Sequence, residues 1–191
     1  MERKEMKSRE EQFTNKLKEE LSNNLNLSKY EVTSGECLVY KFLIDANGKL
    51  QPAKYKVPKR GQLAFQTDLM IKKINAKNKK NGIPLLVIEI KYGRFTTHDV
   101  ITYSAKALKH KEIYPYLRYG LVVGEVEQIY KRFFTHNAGF DFAIAVKEKN
   151  LHEITEIVKT QLETAENLLS VLRDKQVKQY VTNIKLTYSN S

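Results

Sequence analysis

Between residues 8 and 24 the chain reads SREEQFTNKLKEELSNN, with Phe13, Leu17 and Leu21 recurring every four residues among Glu and Lys. That spacing predicts an amphipathic helix, ended by Asn23-Asn24. CLVYKFLI (37–44) predicts a strand, and Asn47-Gly48 suits a two-residue hairpin turn. The polar return strand LQPAKYKV (50–57) carries Pro52, which cannot donate to a ladder and therefore points to a sheet edge. QLAFQTDLMI (62–71) predicts a further strand, KKINAKNKKNGI (72–83) a basic loop, and PLLVIEIKY (84–92) a central strand buried on both faces.

After Gly93 the period changes. Thr96 or Thr97 can cap a helix that has Asp99 in its first turn, with Ile101, Ala105 and Leu108 as its core face and Pro115 at its end. LRYGLVVG (117–124) predicts the next buried strand, EVEQIYKRFF (125–134) a short helix, and FDFAIAV (140–146) another strand. From Leu151 to Arg173 a long amphipathic helix carries Leu151, Ile154, Val158, Leu162, Ala165, Leu168, Leu169 and Leu172 along one side. This stripe spans about three heptads, so packing against the domain is its expected use, with a dimer seam as the alternative. No internal repeat, linker or low-complexity segment interrupts the pattern.

Composition narrows the class. With 191 residues, 41% apolar and 29% charged, the chain is expected to be one domain, 1–191, with enough residues for a real core. No apolar run nears the roughly 20 residues of a membrane span, and MERKEMKSREEQF has no apolar signal core. Cys37 is the only cysteine, which excludes a disulfide framework and a thiolate zinc site within one chain. It is expected in a buried strand, and the setting is expected to be cytoplasmic.

The formal charge is +11, and its placement carries the information. Residues 41–80 hold eleven Lys or Arg against two acids, a local charge of +9. Such a concentration favours a polyanionic partner over a merely solvated surface, without separating DNA from RNA.

Against that background, Glu89 and Lys91 stand out at the end of an apolar strand. Residues i and i+2 of a strand share a face and lie about 6.6 Å apart along it. If 62–71 and 84–92 form an antiparallel hairpin centred near Asn78-Lys79, Asp68 falls opposite Glu89, with Cβ atoms about 5 Å apart. Two carboxylates at that distance repel by about 3 kcal/mol at an effective dielectric near 20. Something positive must sit between or beside them: Lys91, or a divalent metal with Lys91 acting next to it. The bland alternative is a sheet-edge ion pair of no catalytic meaning.

An Asp followed on the next strand by Glu-x-Lys, here Asp68 and Glu89-Ile90-Lys91, resembles the PD-(D/E)xK nuclease superfamily. The resemblance covers about residues 8–124. It implies an α/β, restriction-endonuclease-like core of order α-β-β-β-α-β, with a mixed central sheet flanked by helices and a long C-terminal amphipathic helix. Residues 125–191 would be an elaboration for dimerisation or DNA reading. Thr67 stands where the pattern has proline, a position often varied in the superfamily.

The resemblance assigns Asp68, Glu89 and the main-chain carbonyl of Ile90 as ligands of Mg²⁺, with Mn²⁺ as a substitute. Lys91 would orient the attacking water or neutralise the phosphate in the transition state. Glu20, three residues after Leu17, is the first-helix glutamate expected near the metal, with Glu36 as rival. Tyr103 and Lys106, on the helix after Glu89-Ile90-Lys91, are candidates to touch the phosphate backbone. So are the basic-loop residues Lys72, Lys73, Lys77, Lys79 and Lys80. The expected activity is a Mg²⁺-dependent DNA endonuclease of the type II restriction kind, a homodimer without membrane attachment. The alternatives are a structure-specific or repair nuclease of the same fold and a non-catalytic nucleic-acid-binding module.

Overall fold

The computed structural model describes residues 2–53, 59–74 and 82–188. In chain order the elements are α1 (Glu2–Asn24), β1 (Tyr30–Ser34), β2 (Cys37–Val39), β3 (Leu43–Ile44), β4 (Leu50–Gln51), β5 (Ala64–Gln66), β6 (Leu69–Lys73), β7 (Ile83–Tyr92), α2 (Thr97–Ile113), β8 (Arg118–Gly124), α3 (Lys131–His136), β9 (Phe142–Val146) and α4 (His152–Val171). Five strands form the central sheet in the order β1-β6-β7-β8-β9, while β2 with β5 and β3 with β4 make separate two-stranded ribbons.

Connection length sets the strand directions. The nine residues between β6 and β7 are too few for a crossover, and the pair is antiparallel, as is β1 with β6. Helices intervene between β7 and β8 and between β8 and β9, and both pairs are parallel. The sheet is therefore mixed, covered by helices on both faces.

Strand β7 explains its own apolar run. Leu86, Ile88 and Ile90 join Phe13, Leu17 and Leu21 of α1 and Ile154, Val158 and Leu162 of α4 in one core. Val87 points the other way, into a second core with Met70, Tyr119, Leu121 and the α2 residues Val100 and Ala107. Each fully buried aliphatic side chain contributes about 1.5–3 kcal/mol relative to exposure. The first helix approaches so closely that a Cβ at Gly124 would lie 2.8 Å from the Phe13 ring. The α4 stripe packs on the sheet and on α1, the expected use, although Leu172 at its end is exposed.

Several expectations differ. The first helix begins at Glu2. β1 is a strand outside the sequence expectations: in YEVTS, Tyr30 and Val32 alternate with Glu31 and Thr33 and meet the first core, but the run is only five residues long and fully buries Val32 alone. CLVYKFLI is broken: β2 pairs with β5, Cys37 is only half-buried, and Phe42, Leu43 and Ile44 are exposed on the β3–β4 ribbon. The stretch 62–71 is likewise divided at Thr67-Asp68 into β5 and β6. On α2 the inward face is Val100, Ser104, Ala107 and His110, with Ile101 and Leu108 about half exposed. The physical reason is close approach. A Cβ on Gly139 would stand 2.5 Å from the Ser104 carbonyl and 2.9 Å from the Ala107 Cβ, so small residues, not the large aliphatics, must face in. Thr96 does cap α2, in a reciprocal box with Asp99. Of 125–134, only the end is helical, in α3. The turn expected at Asn78-Lys79 lies outside the described residues. Among those residues no helix is long and apolar enough to cross a membrane.

Candidate active site

The β6–β7 ladder pairs Leu69 with Ile88 and Met70 with Val87, the register expected from the sequence. Met70 and Val87 both face α2. Moving two residues along each strand, toward the C-terminal end of β7, reaches Asp68 and Glu89 on that same face. Asp68 stands just ahead of the first paired residue of β6, where the strand has broken from β5. Its Oδ2 accepts a hydrogen bond of 2.8 Å from the Ile90 backbone N–H.

Glu89 is 1% exposed. Its Oε1 accepts from the Tyr119 hydroxyl at 2.6 Å and from Lys106 Nζ at 3.4 Å. Burial, then the charge of Asp68, push the Glu89 carboxyl up to about 7, against the opposing pull of Lys106 and Tyr119. The Tyr119 phenol is pushed well above its ordinary range by burial and by the adjacent Glu89. Glu89 is thus held in a dry place beside a second acid, where its ionised form has less positive charge around it than it needs.

Lys91 reaches over the end of the sheet. Its ammonium is 3.5 Å from Glu10 Oε2 and 5.4 Å from the centre of the Tyr103 ring. Burial alone would lower its pKa, but Tyr103, Glu10 and Asp99 outweigh that, and the ammonium is held more firmly protonated than usual. Burial raises Glu10 despite Lys91, and the Asp68 charge adds to the rise. Burial likewise pushes Tyr103 up to about 12. Lys106, 4.8 Å from the Tyr103 ring, completes the group.

The fold thus brings Asp68, Glu89, the Ile90 backbone, Lys91, Tyr103 and Lys106 into one place. Glu20 is not among them. It lies ten residues along α1 from Glu10, about 15 Å at 1.5 Å per residue, where its carboxylate accepts from Asn24 Nδ2 at 2.9 Å. The glutamate that α1 brings to Lys91 is Glu10. It precedes Phe13 by three and Leu17 by seven, so it sits on the buried stripe, and that spacing was available in the sequence. Tyr119 had no comparable signal, since a strand read as buried does not name its neighbours across the sheet.

Other candidates have structural partners. Lys72 lies in β6, its side chain 13% exposed, and its ammonium is 3.1 Å from Glu31 and 2.9 Å from Glu36. Lys73 pairs with Glu166 at 3.0 Å. Lys77, Lys79 and Lys80 lie outside the described residues. His98 is exposed, with its Nε2 3.4 Å from the Thr102 hydroxyl. A surface that the sequence did not suggest runs along α2: Tyr40 and Phe65 stack at 3.9 Å, and Lys109 stands 5.3 Å and 5.8 Å from their rings.

Among the described residues no three His, Cys, Asp or Glu side chains gather into a metal cage. A donor set of two carboxylates and the Ile90 carbonyl fits a hard ion that keeps most of its waters, which is how Mg²⁺ binds, and does not fit a fully protein-ligated ion. Comparison of the chain with protein-family models, with curated proteins and with solved structures gives no match.

Proposed function

We propose that the chain is a Mg²⁺-dependent DNA endonuclease of the PD-(D/E)xK kind, acting as a type II restriction enzyme and as a homodimer. The observation that carries this reading is the juxtaposition of Asp68 and Glu89 on the α2 face of the sheet. Lys91 lies two residues beyond Glu89 along the same strand and pairs with Glu10, Lys106 contacts Glu89, and Glu89 is driven to about 7 by burial and by its acidic neighbour. Counted over the central sheet alone, leaving out the two ribbons, the order α1-β1-β6-β7-α2-β8 supports reading the core as restriction-endonuclease-like.

In this reading Asp68, Glu89 and the Ile90 carbonyl hold the ion. Bound there, it would polarise the scissile phosphate and lower the pKa of the attacking water. The Glu89 carboxyl must be ionised to bind, and Tyr119 fixes its orientation from below. Lys91 keeps its proton and presents a compact charge to the phosphate oxygens, oriented by Glu10 and Tyr103. Lys106 and Lys109, with the exposed Lys41, Lys49, Lys59 and Arg60, give the phosphate backbone a positive path toward the site. A twofold dimer would supply the second site that double-strand cutting requires.

One observation favours a second reading. The Lys106–Glu89 pair and the Asp68–Ile90 hydrogen bond satisfy these acids internally, as in a binding module whose ion pairs are only structural. Supercoiled plasmid separates the two. The wild type should nick it in Mg²⁺ and not in EDTA, and Lys91→Ala should lose at least about 10²-fold in rate while still binding DNA. Binding without nicking in either Mg²⁺ or Mn²⁺ rejects the nuclease.

A further inference from the structure

The segment that follows α4 is uncovered. Residues 171–188 are all exposed, and 176–188 make no backbone hydrogen bond among the described residues. Tyr180, Val181, Ile184, Leu186 and Tyr188 leave 75, 62, 91, 54 and 81% of their surface open to water. Such a series is unusual on an isolated soluble chain. Its sequence is not that of a solvated linker either. YVTNIKLTY (180–188) is rich in β-branched and aromatic residues, and Ile184, Leu186 and Tyr188 alternate with Lys185 and Thr187. This is the pattern of a strand with one apolar face, lacking a sheet.

The same chain has a sheet edge lacking a strand. Among the described residues β9 pairs only with β8, and its sequence FAIAV holds no charge, proline or glycine to discourage pairing. The opposite edge, β1, is guarded by Glu31. On β9, Phe142, Ile144 and Val146 contribute to the α1/α4 core, while Ala143 and Ala145 lie on the α2 side. A strand added beyond β9 would extend the first core with Ile184, Leu186 and Tyr188, and set Lys185 and Thr187 beside the two alanines.

We infer that residues 180–188 of one copy add to the β9 edge of a second copy, and reciprocally, forming a twofold dimer by strand exchange. The segment stays off its own β9 edge, and a second copy provides the identical edge. The area suffices: the two tyrosines and three aliphatics of one segment carry about 700 Å². Two reciprocal segments, burying about half of that and covering as much acceptor surface, reach the roughly 1,200–2,000 Å² of a stable interface. The inference rests on the homodimer of the proposed function, for which it names the interface, and not on its catalytic chemistry; its test reads assembly, so it can fail while metal-dependent nicking persists.

Sedimentation of the full chain at tens of micromolar should give a dimer. Ile184→Asp with Leu186→Asp should give a folded monomer whose thermal midpoint, unlike that of the wild type, no longer rises with protein concentration, since neither side chain supports the monomer's core. Val171→Asp with Leu172→Asp, at the exposed end of α4, should leave the dimer intact. Hydrogen exchange at residues 142–146 should be slower in the wild type than in the 184/186 variant. A monomeric wild type would overturn the inference. So would a dimer that survives the 184/186 change but not the 171/172 change, or one whose dissociation leaves exchange in β9 unaltered.

Discussion

Replacing Glu89 with glutamine isolates the electrostatic cost at the centre of the site. The carboxyl is 1% exposed and titrates near 7 instead of 4.5, because of burial and the Asp68 charge. Its folded-state pKa is raised, so the native protein holds this proton more tightly than the unfolded chain does. Below pH 4.5 both states are protonated and the contribution to stability is complete. As pH rises the unfolded chain ionises first, and stability is lost until the native carboxyl ionises near 7. A shift of about 2.5 pKa units corresponds to about 3 kcal/mol. Glutamine keeps the shape and the Tyr119 hydrogen bond but does not titrate. Urea unfolding of both proteins in EDTA, at half-unit steps from pH 4.5 to 8, should show the wild type losing about 3 kcal/mol relative to Glu89→Gln. Adding Mg²⁺ at pH 8 should restore about 2.7 kcal/mol to the wild type at a hundred times its dissociation constant, and nothing to the variant. A difference between the proteins that stays flat from pH 5 to 8 would refute the reasoning.

Two further outcomes follow from the same geometry. Glu10→Gln should slow Mg²⁺-dependent nicking by about tenfold, equal to about 1.4 kcal/mol of transition-state stabilisation, whereas Glu20→Gln should match the wild type; plasmid kinetics on both variants check this. His110, fully buried on α2, donates from Nε2 to the Leu38 carbonyl at 3.1 Å, and burial lowers its pKa to about 4. Its folded pKa is depressed, so its contribution is present above pH 6.5 and is lost as pH falls toward 4, opposite in sign to Glu89. An imidazole resonance with a midpoint near 6.5 would contradict that burial.

How much of the site was legible depended on the kind of periodicity involved. The Asp68–Glu89 juxtaposition could be read because a short connection forces antiparallel pairing, and a period of two then fixes which side chains share a face. Glu10 could also have been read, since it continues the Phe13–Leu17–Leu21 stripe. What misled the choice of Glu20 was local: both glutamates flank the stripe, and only the position of the helix along the sheet tells which end meets β7. The α2 face was misassigned because apolarity favoured Ile101 and Leu108, while Gly139 and its loop press so close that only Ser104 and Ala107 fit.

Local pattern in the chain was enough to fix the alternation of helices and strands, the strand buried on both faces, the excess of basic charge and the register that sets Asp68 opposite Glu89. These are properties of neighbours in the chain, carried by spacing and by short connections. Tertiary structure alone decided that β1 completes the sheet, that Phe42 and Ile44 face water, that Lys72 is absorbed by Glu31 and Glu36, and that Tyr119 closes over Glu89. Those outcomes depend on which surfaces meet across gaps of tens of residues, where packing and desolvation, not local pattern, set the energy.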